Sequence, residues 1–180
     1  MNSHYPTVEF LPVENLQYYN TNAILSLYLA SLQELSDDYV VLNGDTIAKA
    51  ILLARLASTE NELSLVAAKK ERYEKDDMKI HVSGNGRLCR ISKGIEDREA
   101  DCFARGLASV KGEGAKLLIA SRLNKKINDE KGSQMYWMEI FNDDELKNSL
   151  SLFFTSEDDA FEIDSHDDLR DAGSWIRGLN

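Results

Sequence analysis

The sequence predicts an α/β domain organised on a mostly parallel sheet, and three observations predict it. Tyr39-Val40-Val41-Leu42 is an unbroken apolar, β-branched run, the composition of a strand buried on both faces. Asn43-Gly44-Asp45 then stops the run, and glycine lets the backbone turn sharply there. Before it, Ala23–Leu35 carries Ile24, Leu27, Tyr28, Leu32 and Leu35 at helical spacing, and Thr7–Val13 reads as a short strand with Pro12 near its end. Together these make a strand–helix–strand unit, which implies parallel neighbours.

The other elements are legible in chain order. Asn15–Asn22 is a polar, aromatic loop, and Thr21 or Asn22 supplies the N-cap of the first helix. Ala48–Leu56 is a second apolar helix, and Leu63–Ala68 a strand with a near-continuous apolar run. Lys69–Asp77 is a charged loop. Met78–Val82, Ser83–Gly86 and Arg87–Ile91 read as strand, turn and strand, a β-hairpin inserted into the sheet. Leu107–Val110 is a strand, Gly114–Ile127 a helix, and Met135–Phe141 an aromatic helical segment. Leu150–Thr155 and Ala160–Asp164 are late extended pieces. Ser165, three residues before Asp168, opens the last helix with a capping box.

Composition narrows the function. At 180 residues, 43% hydrophobic and 29% charged, residues 1–180 read as a single soluble domain with room for a real core. The net charge of −10 argues against a nucleic-acid or anionic membrane surface. Cys89 and Cys102 show neither metal spacing nor a disulfide framework, which points to a reducing cytoplasm. Asp45 falls at the carboxyl end of its strand, where open α/β sheets bind ligands, and a carboxylate there is placed to hold Mg²⁺. The same tripeptide is also ordinary turn chemistry.

Four blocks, taken in order, resemble the sugar-phosphate and choline-phosphate nucleotidylyltransferases, most closely the phosphocholine cytidylyltransferase-like branch. The first is Asn15, Tyr18, Thr21, Asn22, Ser26 and Leu27, and the second is Leu42-Asn43-Gly44-Asp45. The third is Met78-Lys79-Ile80 and Val82, then Gly86-Arg87-Leu88 and Arg90-Ile91-Ser92-Lys93. The fourth is Glu162-Ile163-Asp164-Ser165 with Asp167-Asp168-Leu169 and Ala172.

The resemblance implies a three-layer, Rossmann-like sheet of the nucleotide-diphospho-sugar transferase type. It implies transfer of a nucleoside monophosphate from a triphosphate, CTP foremost, to a phosphorylated acceptor such as phosphocholine or a sugar 1-phosphate, with release of pyrophosphate. It implies Mg²⁺ held by Asp45 and Asp164, with Glu162 flanking, and places Asp45 and Asp164 in the catalytic role. Tyr18, Thr21, Asn22, Asn43 and Gly44 match substrate-side positions, and Lys79 and Lys93 are candidates to meet phosphate oxygens.

The chain also departs from the pattern. The family's first strand and Gly-rich phosphate loop have no counterpart, so the fold is expected to be N-terminally truncated by roughly 60 residues at about 30 residues per βαβ unit. Cys102-Phe103-Ala104-Arg105 and Trp137-Met138 stand where the family shows acidic and aromatic acceptor-side residues. Two functional classes stay open: a nucleotidylyltransferase, or a catalytically inactive relative that binds a partner. An open sheet edge is expected where the first strand should lie, to be covered by a homo-oligomer or a complementing chain.

Overall fold

Apolar content decides where the strands fall. The computed structural model describes residues 9–33 and 37–177. Its elements are α1 (Ala23–Ser31), β1 (Tyr39–Leu42), β2 (Thr46–Ala48), α2 (Ala50–Ala57), β3 (Leu63–Ala68), β4 (Lys79–Val82), β5 (Leu88–Ser92), β6 (Cys102–Val110), α3 (Gly112–Ile127), α4 (Asp144–Ser149), β7 (Leu150–Phe154), β8 (Ala160–Glu162) and α5 (His166–Arg177). β3 and β6 are buried at every position and lie side by side in the middle of the sheet.

The six-stranded sheet has the order β5-β4-β6-β3-β7, with β1 joined to β6 on the same side as β4. Strand β6 is antiparallel to β1, β3 and β4, while β7 runs parallel to β3. So β1, β3, β4 and β7 all point one way, and β5 and β6 the other. The expected common strand direction is there, but β6 inserts against it, so the β3–β7 pair supplies the parallel neighbours. β2 and β8 form a separate antiparallel ribbon.

Helices cover both faces. On one, α3 turns Ala115, Ile119 and Leu123 inward at i, i+4 spacing against Leu63, Leu65 and Val110. Ile24 of α1 and the 3-10 segment Trp137–Asn142 join the same cluster. On the other face, Leu52 and Leu56 of α2 meet Val66, Leu107 and Ala160. The result is the expected three layers.

Two expectations are corrected. The first strand does not form: 9–13 carry no ladder, residues 7 and 8 lie outside the described residues, and Pro12 lacks the N–H a ladder needs. The strand–helix–strand parallel unit therefore has no first strand. The first helix begins as expected, with Asn22 Oδ1 accepting the Ala23 N–H at 2.8 Å, but it ends at Ser31; Leu35 lies outside the described residues.

A bulge in β6 shapes the turn that ends β1. Leu65 of β3 faces Ala108, yet Ala67 faces Ala104, so β6 carries two extra residues. Gly106 sits there with φ 68°. A Cβ on Gly106 would lie 2.8 Å from Asn43 Nδ2 and 3.1 Å from Thr46 Oγ1. Both the dihedral and the close approach require glycine. Gly106→Ala is expected to cost about 1–3 kcal/mol, read as a lower urea midpoint with an unchanged m-value.

Candidate functional site

β1 and β4 share one edge of β6. β4 pairs at Cys102 and Phe103, β1 at Leu107 to Val110, and Ala104 to Gly106 lie between them. A cleft of about 1270 Å³ opens at this gap. Its walls include α1, β1, the Asn43–Asp45 turn, Met78, Lys93, Arg105 and the end of β8. It therefore stands at the carboxyl end of β1, where α/β sheets bind ligands.

Asn43 fixes the turn. Its N–H donates to the Gly106 carbonyl at 2.9 Å, and its Oδ1 accepts the Trp137 indole N–H at 2.7 Å. The ribbon then brings the end of the chain to this turn. Thr46 pairs with Glu162, Ile47 with Phe161 and Ala48 with Ala160, and the Ile163 N–H donates to the Asp45 carbonyl at 2.9 Å. Asp164 comes directly after and shares the cleft with Asp45 and Glu162. Its backbone is held by the helix cap: Asp168 accepts from the Asp164 N–H at 3.1 Å and from the Ser165 hydroxyl at 2.7 Å.

The carboxylates feel one another. Burial pushes the Glu162 carboxyl above its ordinary value; the Arg105 guanidinium opposes this, and Asp45 and Asp164 add to it. Burial likewise raises Asp164, followed by the charges of Asp45, Asp76 and Asp168, while Lys93 pulls it down. Among the described residues no three Asp, Glu, His or Cys side chains gather into a metal cage. Mg²⁺ does not need one: it is usually held by one or two carboxylates with substrate phosphates and water, and an all-oxygen donor set suits it.

The expected site residues divide cleanly. Asn22, Asn43, Gly44, Asp45, Lys93, Glu162 and Asp164 all line the cleft. Lys93 Nζ lies 4.4 Å from the Tyr136 ring centroid, a cation–π contact that holds it at the rim. Tyr18, Thr21 and Lys79 are not brought there. Tyr18 is 73% exposed and packs edge-on against Tyr19. The Thr21 hydroxyl donates to the Gln17 carbonyl at 2.8 Å, closing the loop before α1. Lys79 is buried, donates to the Ile95 carbonyl at 3.2 Å and pairs with Asp97 at 2.7 Å.

Arg105 was not among the expected site residues. It is buried in the cleft wall and donates to the carbonyls of Ala160 and Glu157. A charge inside an otherwise apolar strand is the signal that marks it. Cys102 is no nucleophile, since burial and then Asp101 push its thiol up to about 12.

No family model matches the sequence, and no curated protein sequence matches it. The fold is nonetheless that of the nucleotidylyltransferases. The inositol-1-phosphate CTP transferase of T. maritima superposes with a TM-score of 0.70 at 18% identity, over 94% of this chain and 66% of that one. The CTP:phosphocholine cytidylyltransferase of Streptococcus pneumoniae gives 0.64 at 18% identity, over 90% of this chain and 67% of that one. A Bacillus anthracis structure named as a glucose-1-phosphate thymidylyltransferase, in complex with a sucrose, gives 0.71 at 14% identity, over 99% and 70%. The chain thus spans about two thirds of the length of these neighbours. No described helix is long and apolar enough to cross a membrane.

The Glu162 environment sets a pH dependence. Its folded pKa lies above the ordinary 4.5, so between 4.5 and that raised value the folded state keeps a proton the unfolded state has lost. Stability must fall as pH rises through this window. Glu162→Gln should reduce that fall, leaving the part that Asp164 contributes, and make the protein more resistant to urea at pH 7 than wild type. Urea titrations of both proteins from pH 4 to pH 8 check this.

Proposed function

We propose that the cleft is the metal- and acceptor-side site of a Mg²⁺-dependent nucleotidylyltransferase. The single observation that carries this reading is the meeting of Asp45 and Asp164, from opposite ends of the chain, at one cleft through the β2–β8 ribbon. The fold neighbours support the class of reaction, and two of the three are named for CTP. The substrates would be a nucleoside triphosphate, CTP foremost, and a phosphorylated acceptor such as phosphocholine or a sugar 1-phosphate. The two free cysteines suit a cytoplasmic setting.

In the reaction a phosphate oxygen of the acceptor attacks the α-phosphorus of the triphosphate, and pyrophosphate leaves in line. Bound Mg²⁺ would supply Lewis-acid charge neutralisation. Asp45 and Asp164 would hold it, and Glu162 would flank it from the same ribbon. Lys93, poised on Tyr136 beside Asp164, would bind a phosphate oxygen as a point charge. The Asn43–Gly44 turn, locked by Gly106 and Trp137, would keep Asp45 in place as charge develops. Burial first and neighbouring carboxylates second raise Glu162 and Asp164, and a bound cation would offset both costs.

A second reading, an inactive relative that binds a partner, is favoured by one observation: Gly44 is the one glycine on the described cleft lining, so no glycine-rich loop cradles a triphosphate there. A magnesium titration separates the two readings. Mg²⁺ should raise the melting temperature of the wild type by a few degrees, on the order of a 1 kcal/mol linkage effect. Asp45→Asn and Asp164→Asn should fold and lose that response. Identical melting of wild type and Asp45→Asn across the titration would overturn the metal site. Pyrophosphate release from CTP and phosphocholine is expected to be absent for residues 1–180 alone. Turnover that disappears in Asp45→Asn would establish catalysis by this chain unaided.

A further inference from the structure

Of the three carboxylates assigned to the metal site, Glu162 and Asp164 ride on a lightly packed arm. In residues 156–177 only Ala160 and Ala172 are buried, and both are small, so little apolar area holds the arm down. Much of its bonding is internal. The Trp175 indole N–H donates to the Asp158 carbonyl at 3.2 Å, the Trp175 ring lies 6.1 Å from that of Phe161, and Asp168 caps α5. Asp45, in contrast, follows a turn anchored to β6 and to Trp137 through Asn43. The spacing of Asp45 and Asp164 therefore depends on what ties the arm to the sheet.

Two charged side chains do so. Arg105 reaches the Glu157 and Ala160 carbonyls, and it lines the cleft itself. Asp159 does not line the cleft. It stands immediately before β8, with its two carboxylate oxygens turned to different elements. Oδ1 accepts from the Lys49 ammonium at 3.2 Å, at the entry to α2. Oδ2 accepts from the Thr155 hydroxyl at 2.6 Å, just past β7, and from the Ser156 N–H at 3.3 Å. The Asp159 carbonyl accepts the Lys49 N–H at 2.9 Å. With the Asp159 side chain only 16% exposed, these charge-assisted bonds are largely shielded from water. The Thr155 hydroxyl first, then Lys49, hold the carboxyl below its ordinary range against the opposing effect of burial. We propose that Asp159 is a positioning residue for the metal site: by tying the start of β8 to the entry of α2 and the end of β7, it holds the arm shut so that Glu162 and Asp164 meet Asp45. From that tie, Ala160, Phe161 and Glu162 pair in turn with Ala48, Ile47 and Thr46, and the Ile163 N–H reaches the Asp45 carbonyl. A ribbon of three pairs has little stability of its own, so releasing the tie opens it from the Asp159 end. The positioning role rests on the metal reading of the cleft, whereas the closure of the arm does not.

Amide exchange and a titration with Mg²⁺ alone read these two statements separately. In Asp159→Asn the Ile163 amide should exchange on the order of ten-fold faster, the loss expected for one charge-assisted hydrogen bond, while the amides of β3 and β6 keep wild-type protection. The Mg²⁺ concentration needed for a given rise in melting temperature should increase by a similar factor. Thr155→Val keeps the shape of the side chain but removes the hydroxyl donor to Oδ2, and it should act in the same direction. Thr155→Ser keeps that hydroxyl and should behave as the wild type. Three results would overturn the proposal. One is acceleration of equal size at Ile163 and throughout β3 and β6, which would make Asp159 a general stabiliser. Another is unchanged exchange in both Asp159→Asn and Thr155→Val. The third is an unchanged Mg²⁺ requirement in variants whose arm exchanges faster. Absence of any Mg²⁺ response in the wild type would remove the metal reading alone; faster exchange confined to the arm would still establish Asp159 as its tie to the sheet.

Discussion

The site depends on the absence of one methyl group. Gly106 holds a positive φ at a bulge in a strand buried along its whole length, and its missing Cβ is the space that Asn43 and Thr46 occupy. Because Asn43 can come that close, its main-chain N–H reaches the Gly106 carbonyl and its side chain reaches Trp137. β1 is thereby anchored at its end as well as along its length, and the chain is turned so that Asp45 leaves on the cleft side. The bulge also sits between the stretches where β4 and β1 join β6. One local irregularity thus opens the gap in the sheet and fixes the residues that border it. Bulges beside functional sites commonly re-aim the chain in this way.

Charge burial separates the committed cations around the cleft from Lys93, among the described residues. Lys79 sits in β4 almost without solvent, and its ammonium is satisfied by the Ile95 carbonyl and Asp97. Lys70 is held by Asp77 at 2.8 Å. Arg105 braces the segment before β8 through main-chain carbonyls while its positive field lowers the cost of ionising Glu162. Lys93 is different: it rests on an aromatic face and borders open space. A lysine committed to buried acceptors is expensive to move, whereas one on a ring at a rim can turn toward an arriving phosphate.

Much of this was legible in the residues. The apolar run at Tyr39–Leu42, the helical spacing in Gly114–Ile127 and the turn at Ser83–Gly86 all became the elements they suggested, because each signal is local. The antiparallel insertion of β6 was not legible, since strand direction is decided by partners far away in sequence. Nor was the extent of β6: Arg105 interrupts the apolar pattern, and only burial under the segment around Ala160 explains how a charge is accommodated there. Lys79 misled for the converse reason. It was a candidate to meet phosphate oxygens, but the loop at Ile95–Asp97 folds back over it. Asp45 and Asp164 were recognisable through the resemblance. The β2–β8 ribbon that joins them has three residues on each strand, too short to announce itself by alternation.

That ribbon has a bearing on how the molecule is made. It pairs residues near the start of the chain with residues near its end. Contacts of such long sequence separation close late, after the local helices and hairpins have formed. During synthesis the β6-centred sheet up to α3 can assemble while the carboxyl-terminal segment is still inside the ribosome. Asp45 then waits on a finished scaffold without its counterpart. The facing carboxylates come together only once Asp164 and the cap of α5 have emerged, so the like-charge repulsion between them is confined to the last stage of folding and does not burden the nucleus.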